Sequence, residues 1–518
     1  MGDDGLFDLI TGHVGAMSKD IGILEVLGPK PRDLRDLIDL NMTAKDIGKV
    51  KQAHANAMFE VLIGATDGEA SDHWTFRAIA NTANWIRSSL LGSAVLSAIG
   101  DIPVARMTAK MNGLDSFNVA KNFTALLNPA NKTHREIASR AGYIAEIANG
   151  TAVADARFFG ENLGGKFTSQ LANLTVRASG LQHWTKSWAD AIAMEAEGQI
   201  ADFVSKGVRF KDLPDDFRTA LEGFDVTAKD WEIISNAKAF EVPDRGIKFM
   251  RSQDIAMAKG FDAKSAQLAA SKIDDWIFHM RAVATNEPGL RTRAITTGAI
   301  TGGDARRGTI ARTFFGSATM LKSFPITVMF NHLMPAIQRA KQGKFDNLAT
   351  LTLGTAVFGA FAIQLKELAK GKSPKDWDNP EFMAAALLQG GGLGLFGDFF
   401  FQDYSRFGRE PLVEAFGGPM LGLVDDIMRT AKGNIDRSLA DEKTKFSKDL
   451  FRLVKRNIPV MSSLWYTRLA TERLLFDQID RMIDEKYDRR LRRYARKMKK
   501  ETGQKFYWEP GATTPLGF

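Results

Sequence analysis

The sequence predicts an all-α fold that is built from many helices, is elongated, and ends in a long basic helix. Strong helix formers are plentiful across the 518 residues, and few segments alternate polar and apolar residues with the period of a strand. The hydrophobic fraction of 44% and charged fraction of 25% are typical of a folded globular protein. The 42 residues from 461 to 502 contain neither Gly nor Pro, which favours one long terminal helix.

Four regions are predicted, because a chain of this length exceeds one compact core. Residues 1–150 form an N-terminal helical domain and residues 151–305 a middle helical domain in this interpretation. Residues 306–435 are an apolar, Gly-rich helical region. Residues 436–518 hold the basic helix and an aromatic end.

Local signals mark several helix boundaries within the first two regions. Residues 21–27 are predicted to form a helix that stops at Gly28-Pro29. A Ser, Thr, Asp or Asn side chain ahead of an acidic residue is typical of a helix start. Such starts are predicted at Thr43 with Asp46, at Pro214-Asp215-Asp216 and at Thr227 with Asp230.

The third region contains 19 consecutive uncharged residues, 347–365. A helix of about 20 residues is long enough to span the hydrocarbon core of a bilayer. Gly354 and Gly359 would permit close helix packing. Two interpretations stay open: a buried core helix, or a segment that enters a membrane conditionally. The residues predicted to contact a membrane or another subunit are Leu351, Leu353, Val357, Phe358, Phe361 and Leu365.

The last region holds most of the excess positive charge. The whole chain has a net charge of +8, and residues 481–500 contain ten Lys or Arg against three acids. Apolar residues recur every three or four positions from 475 to 498, so one face of this helix is predicted to pack on a partner. If continuous, the helix would be about 63 Å long. The residues predicted to contact DNA or anionic lipid are Arg489, Arg490, Arg492, Arg493, Arg496, Lys497, Lys499 and Lys500; a solvated face that pairs with acidic patches is the alternative.

Recognisable catalytic chemistry is absent from the sequence. Without cysteine, the chain excludes thiol catalysis, disulfides and Cys-bound metals. Seven scattered histidines lack metal-site spacing. Residues 160–166 and 392–397 match glycine-rich phosphate-loop patterns but lack the strand that should precede them. We therefore expect no catalytic residues, no metal and no cofactor, although a carboxylate pair for cell-wall cleavage stays possible.

Three stretches in the last 210 residues resemble a known family. They are Arg307–Arg312 with Phe314-Phe315 and Lys322–Thr327; Asn457-Ile458-Pro459 with Ser462–Ala470 and Phe476-Asp477-Gln478; and Gly503–Gly511, which ends in Trp-Glu-Pro-Gly. In this order they resemble the C-terminal part of internal virion proteins of short-tailed bacteriophages, also called ejection proteins. The first 300 residues match that family only in helical style.

The resemblance implies a protein stored in the virion interior that moves to the host cell envelope after ejection. It would join copies of itself and other virion proteins in a conduit for the genome. Its further partners would be double-stranded DNA, bound non-specifically, and conditionally the host inner membrane. Many relatives carry a lytic transglycosylase domain that is not recognisable here, so we expect no enzyme activity. The alternatives are a peptidoglycan-degrading virion enzyme and a structural capsid-core scaffold.

Overall fold

The computed structural model confirms an all-α, multi-helix protein. Within the described part of the chain, the sheet structure consists of β1 (Phe240–Glu241) paired antiparallel with β2 (Lys248–Phe249). The structure describes residues 17–18, 20–64, 74–128, 130–131, 137, 166–242, 246–299, 309, 312, 316, 319, 322–378, 380–389, 411–439, 446–461 and 463–514.

The N-terminal part consists of short consecutive helices. Residues 20–27 are helical and stop at Gly28, which has a φ of 77°, as predicted. The predicted start at Thr43 is wrong: Thr43 lies in the last turn of a helix and its hydroxyl donates to the Asp39 carbonyl. The labelled helices are α1 (Pro31–Ala44), α2 (Lys49–Leu62), α3 (Trp74–Leu90), α4 (Ala94–Ala98), α5 (Ile102–Met111) and α6 (Ser116–Leu127).

The middle part supplies the longest buried helix. The predicted starts before Asp215 and at Thr227 are confirmed, and Thr227 forms a reciprocal capping box with Asp230. The helices are α7 (Lys166–Ala178), α8 (Leu181–Ser205), α9 (Asp215–Glu222), α10 (Ala228–Asn236), α11 (Ser252–Ala256), α12 (Ala263–Ala284) and α13 (Leu290–Thr296).

The largest hydrophobic core lies around α8 and α12. It includes the fully buried Trp276 and Phe217, whose rings meet edge to face with centroids 5.3 Å apart. Its buried members extend from Ile86 to Ala284, because α3 packs on α7, α6 on α8, and α5 on α12. The boundary predicted at 150/151 therefore divides one core instead of separating two.

The third part centres on one long apolar helix. The predicted helix over 347–365 is confirmed as α16, which begins with the acidic Asp346 and contains no Pro. The boundary predicted at 435/436 falls inside a helix and is corrected. The helices are α14 (Ser323–Val328), α15 (Met334–Lys341), α16 (Asp346–Leu368), α17 (Pro380–Gln389) and α18 (Pro411–Leu439), with a π-helical turn at Met329–Leu333.

The single helix predicted over 461–502 is broken in the structure. Asp484 takes an extended conformation (φ −132°, ψ 96°), and its carboxylate accepts a bond from the Lys486 amide and pairs with Lys448 at 2.8 Å. These tertiary contacts outweigh the helical preference of a segment that lacks Gly and Pro. The elements are α19 (Phe446–Asn457), α20 (Arg468–Thr471), a π-helical turn (Glu472–Phe476), α21 (Asp477–Ile483) and α22 (Tyr487–Thr502).

The Trp-Tyr-Thr-Arg-Leu motif anchors this C-terminal part to the N-terminal helices. The Ser93 hydroxyl donates to the Ser463 carbonyl over 2.9 Å, and the Trp465 amide donates to the Gly92 carbonyl over 3.2 Å. A Cβ at Gly92 would lie 2.2 Å from the Ser463 carbonyl carbon, so only glycine permits this approach. The motif therefore has an intramolecular structural role.

Close packing of α16 on α5 depends on another glycine. A Cβ on Gly354 would lie 2.5 Å from Pro103 Cβ, which confirms that this glycine permits a close helix approach. Leu351 is buried beside Val104 and Met107 in the same interface.

Gly354→Ala should lower the free energy of unfolding by about 1–3 kcal/mol, because the added methyl overlaps Pro103. Gly433→Ala in α18 is the matched control, since its nearest neighbour would be the end of Arg437 at 3.9 Å. That variant should be neutral or slightly stabilising. Urea unfolding followed by circular dichroism measures both, and an equal midpoint for the two variants would contradict the close approach.

Candidate membrane and polyanion interface

Helix α16 turns its small and polar residues inward. Its buried positions include Asn347, Thr355, Gly359, Gln364 and Glu367. A helix on the surface of a soluble protein normally buries its large apolar residues and exposes the polar ones. In α16 this arrangement is largely reversed.

The large apolar residues of α16 point outward and form a continuous ridge. Leu353 is 68% exposed, and Val357 and Phe361 are each 48% exposed. Successive members are four residues apart until the last step of three, so they follow one helical row over about 34 Å. We call this row the apolar ridge; it consists of Phe345, Ala349, Leu353, Val357, Phe361, Leu365 and Leu368.

Four of the six predicted contact residues therefore lie on the apolar ridge: Leu353, Val357, Phe361 and Leu365. Phe358 is half-buried beside them. Leu351 is fully buried against Val104 and Met107, so the structure places it inside the protein instead of at a contact surface. Sequence reasoning missed Phe345 and Leu368, although their spacing from Leu353 and Leu365 continues the same row.

Two helical stretches in the described part of the chain are long and apolar enough to cross a membrane by length and composition. The first, Arg77–Met111, is interrupted by 3₁₀ turns, and 67% of its most apolar window is buried. The second is Asp346–Leu368, for which the buried share is 33%. The first is mostly buried, as a core helix is, whereas α16 has several large apolar side chains that are at least one third exposed.

A second candidate surface, which is positively charged, lies on α22. All eight predicted basic residues are exposed. Arg490 pairs with Asp484, and Lys497 pairs with Glu501 at 3.7 Å. The other six form no ion pair with a described residue, and at 3.6 residues per turn they occupy an arc of about 120°. We call them the basic stripe: Arg489, Arg492, Arg493, Arg496, Lys499 and Lys500.

The opposite face of α22 attaches it to the protein. Of the predicted apolar row, Tyr487 and Met498 are buried and Leu491 is half-buried, whereas Leu475, Ile483 and Tyr494 are exposed. Two acids of this segment, Asp484 and Asp488, pair with residues outside the basic stripe, Asp488 with Arg481 at 3.0 Å. The positive charge of the stripe is therefore left facing solvent.

A short clasp joins the end of α16 to the chain that follows α22. Lys372 and Phe506 form an antiparallel β-bridge, and the Ser373 amide donates to the Lys505 carbonyl over 2.7 Å. The Tyr507 hydroxyl donates to the carbonyl of Leu368, the last ridge residue, over 2.6 Å. The apolar ridge therefore ends where the clasp holds α22.

A buried carboxylate beneath the clasp organises this junction. Asp477 is 2% exposed and pairs with Arg473 at 3.0 Å. Its carboxylate also accepts hydrogen bonds from the Tyr487 hydroxyl, at 2.6 Å, and from the Gly511 amide, at 2.8 Å. Arg473 in turn donates to the Trp508 and Lys370 carbonyls. One ion pair thus binds α21, α22, the chain end and the end of α16.

The electrostatics of the junction follow from burial and pairing. Burial and the hydrogen bond to Asp477 raise the pKa of Tyr487 well above its usual value, so its hydroxyl stays a donor. Burial alone would raise the pKa of Glu367, but Lys370 and Lys372 hold it below the usual value. Gln504 donates to the same carboxylate over 3.2 Å. Glu367 is therefore a charged, satisfied acceptor at the clasp.

Little in the described residues offers other chemistry. Among them, no group of three or more His, Cys, Asp or Glu could hold a metal ion. The glycine-rich motifs at 160–166 and 392–397 lie outside the described residues, except for Lys166, the first residue of α7. Burial raises the pKa of Glu195 to about 7, with Asp115 and Asp202 adding to the effect. A raised carboxyl pKa is a property that a cell-wall hydrolase requires of its general acid.

Comparisons of the chain with protein-family models, curated proteins and solved structures give no match. The resemblance to phage ejection proteins therefore rests on its motifs and remains a hypothesis.

Asp477→Asn should destabilise the C-terminal part by about 3–5 kcal/mol, because it leaves the buried Arg473 charge with only the more distant Glu472 carboxylate, at 3.9 Å, as counter-ion. Asp212→Asn removes the exposed pair with Arg209 and should cost at most about 1 kcal/mol. Urea unfolding and limited trypsin digestion measure the two effects. Faster cleavage within α22 is expected for Asp477→Asn alone, and equal behaviour of the two variants would contradict the organising role of this pair.

Proposed function

We propose that this chain is a non-enzymatic internal virion protein of a short-tailed bacteriophage, ejected with the genome into the host envelope. The observation that carries the proposal is the outward orientation of the large apolar residues of α16. A protein that lies first among other virion proteins and later at a bilayer needs an apolar surface that protein covers in the first setting and lipid covers in the second.

The apolar ridge suits both settings. Fully removing a Leu, Val or Phe side chain from water contributes about 1.5–3 kcal/mol, so several ridge residues together give a substantial driving force. In the virion this surface would be covered by other copies of the chain or by other virion proteins. After ejection the host inner membrane would cover it.

The inward face of α16 suits a change of surroundings as well. Thr355, Gly359 and Ala362 are small and buried, so this face of α16 buries few large side chains. Such small-residue faces also mediate packing between helices within membranes. The same face of α16 could therefore pack against protein in either setting.

The basic stripe supplies the second property that the proposal needs. Six unpaired cations along about 16 Å of helix attract a polyanion without regard to sequence. Double-stranded DNA inside a conduit and an anionic membrane surface are the two polyanions that such a protein would meet.

Replacing Leu353, Phe361 and Leu365 together by Ser should lower flotation with phosphatidylcholine vesicles in 0.5 M salt at least about tenfold, since apolar insertion is insensitive to screening. The matched control replaces Leu37, Leu40 and Val50 by Ser; these apolar residues of α1 and α2 are, as a set, at least as exposed as the three ridge residues. Equal flotation of both variants, or no flotation of the unmodified chain, would contradict membrane entry and leave the capsid-core scaffold as the better account.

The non-enzymatic assignment has its own test. The purified chain should leave cell-wall peptidoglycan intact in a zymogram, because we assign no catalytic group. Clearing that disappears in Glu195→Gln would overturn this assignment in favour of a peptidoglycan-degrading enzyme, as Glu195 is the carboxyl whose pKa lies near 7. Asp202→Asn serves as the neighbouring carboxylate control.

A further inference from the structure

Helix α22, which carries the basic stripe, is joined to the end of α16 at which the apolar ridge ends. Tyr507 joins the last ridge residue, Leu368, and the Lys372 ammonium lies 3.0 Å from the Tyr494 hydroxyl of α22. Since both contacts are direct, α22 keeps a fixed position relative to the end of the ridge.

Aromatic side chains with polar atoms surround this junction. Tyr494, Tyr507 and Trp377 are each more than one third exposed. The Trp377 ring meets the ridge residue Phe361 edge to face, with centroids 5.7 Å apart. Tyr and Trp with one apolar and one wet end are the residues enriched at the boundary between hydrocarbon and headgroups.

From this arrangement we infer that the basic stripe binds the anionic headgroups of a lipid bilayer at the place where the apolar ridge enters it. The inference rests on the proposed function and names the lipid class that the surface would recognise. The ridge supplies apolar contact and the stripe supplies charge, and stable membrane association commonly requires two such signals.

The same features favour lipid over DNA as the partner of the stripe. In a DNA duplex the bases are stacked inside, so phosphate contact requires only the cations. Binding to duplex DNA would not require the exposed Tyr494, Tyr507 and Trp377, nor an apolar ridge that ends near them. A lipid surface uses all three kinds of residue at once.

The stripe is also well placed to act without unfolding the protein. Its cations lie on one face of α22. The opposite face carries Tyr487, which donates to Asp477, and the buried Met498. Removing their charges therefore breaks no ion pair with a described residue, and the substituted helix should remain docked.

The test compares two triple variants of the full chain with equal changes in net charge. One carries Arg489→Gln, Arg493→Gln and Arg496→Gln in the stripe. The control carries Lys45→Gln, Lys49→Gln and Lys51→Gln, which are exposed and form no ion pair with a described residue. Binding is measured to phosphatidylcholine vesicles, to vesicles with 30% phosphatidylglycerol, and to a 30-base-pair duplex.

The unmodified chain should bind phosphatidylglycerol vesicles more tightly than phosphatidylcholine vesicles, and 0.5 M salt should remove this difference. The stripe variant should lose about tenfold or more of its affinity for phosphatidylglycerol vesicles only, with the control unchanged. Unchanged circular dichroism establishes that the stripe variant is folded, and the salt dependence of the unmodified chain tests the inference independently of any variant.

Three results would overturn the inference: no preference for phosphatidylglycerol, equal losses in both triple variants, or a stripe variant that loses duplex binding while it keeps phosphatidylglycerol binding. The last result would make the stripe a nucleic-acid surface. Failure of the proposed function is distinguishable, because it removes binding to phosphatidylcholine at high salt and leaves the charge-dependent difference untouched.

Discussion

The buried ion pair between Arg473 and Asp477 holds together the part of the molecule that we associate with function. Two opposite charges in a protein interior are stable only when both are paired and their remaining hydrogen-bonding atoms are satisfied. Here Tyr487, Gly511 and two carbonyls meet that requirement. These partners come from α22, from the chain that follows it and from the end of α16, so one charge pair fixes how these parts pack. The break of the terminal helix at Asp484 is a consequence, since Tyr487 must turn back to reach Asp477.

This constraint explains why the basic helix lies at the end of the apolar one. The chain after α22 returns to Arg473 and, in passing, pairs with residues 371–373 at the end of α16. A Cβ at Gly371, which has a φ of 79°, would lie 2.8 Å from Leu469 and 3.1 Å from the Trp508 carbonyl, so the return path also depends on glycine. The helix that carries the basic stripe is thereby held at the end of the apolar ridge, although the ridge ends at Leu368 and the stripe begins only at Arg489.

Sequence patterns predicted the local features well and the tertiary ones poorly. The uncharged run at 347–365 identified α16, and its four-residue spacing contained most of the ridge. Nothing in that pattern distinguished Leu351, which is buried, from Leu353, which is exposed, because burial depends on where Pro103 and Val104 lie. The absence of Gly and Pro predicted a continuous helix over 461–502, whereas the paired charges of the buried Asp477 and the half-buried Asp484 impose a turn. Charge pairing across distant elements leaves no periodic signal in a sequence. The same holds for the core that joins α3–α6 to α8 and α12.

Entry of the apolar ridge into a bilayer can be measured directly as the depth of a spin label. Because the chain contains no cysteine, a single Val357→Cys carries one spin label at the middle of the ridge, and Lys432→Cys on α18 provides a solvent-exposed reference. Collision rates with oxygen, which concentrates in hydrocarbon, and with a polar nickel complex report the depth of each label. Our account predicts that vesicles raise the oxygen rate and lower the nickel rate at position 357 only. Equal rates with and without vesicles at position 357 would contradict it.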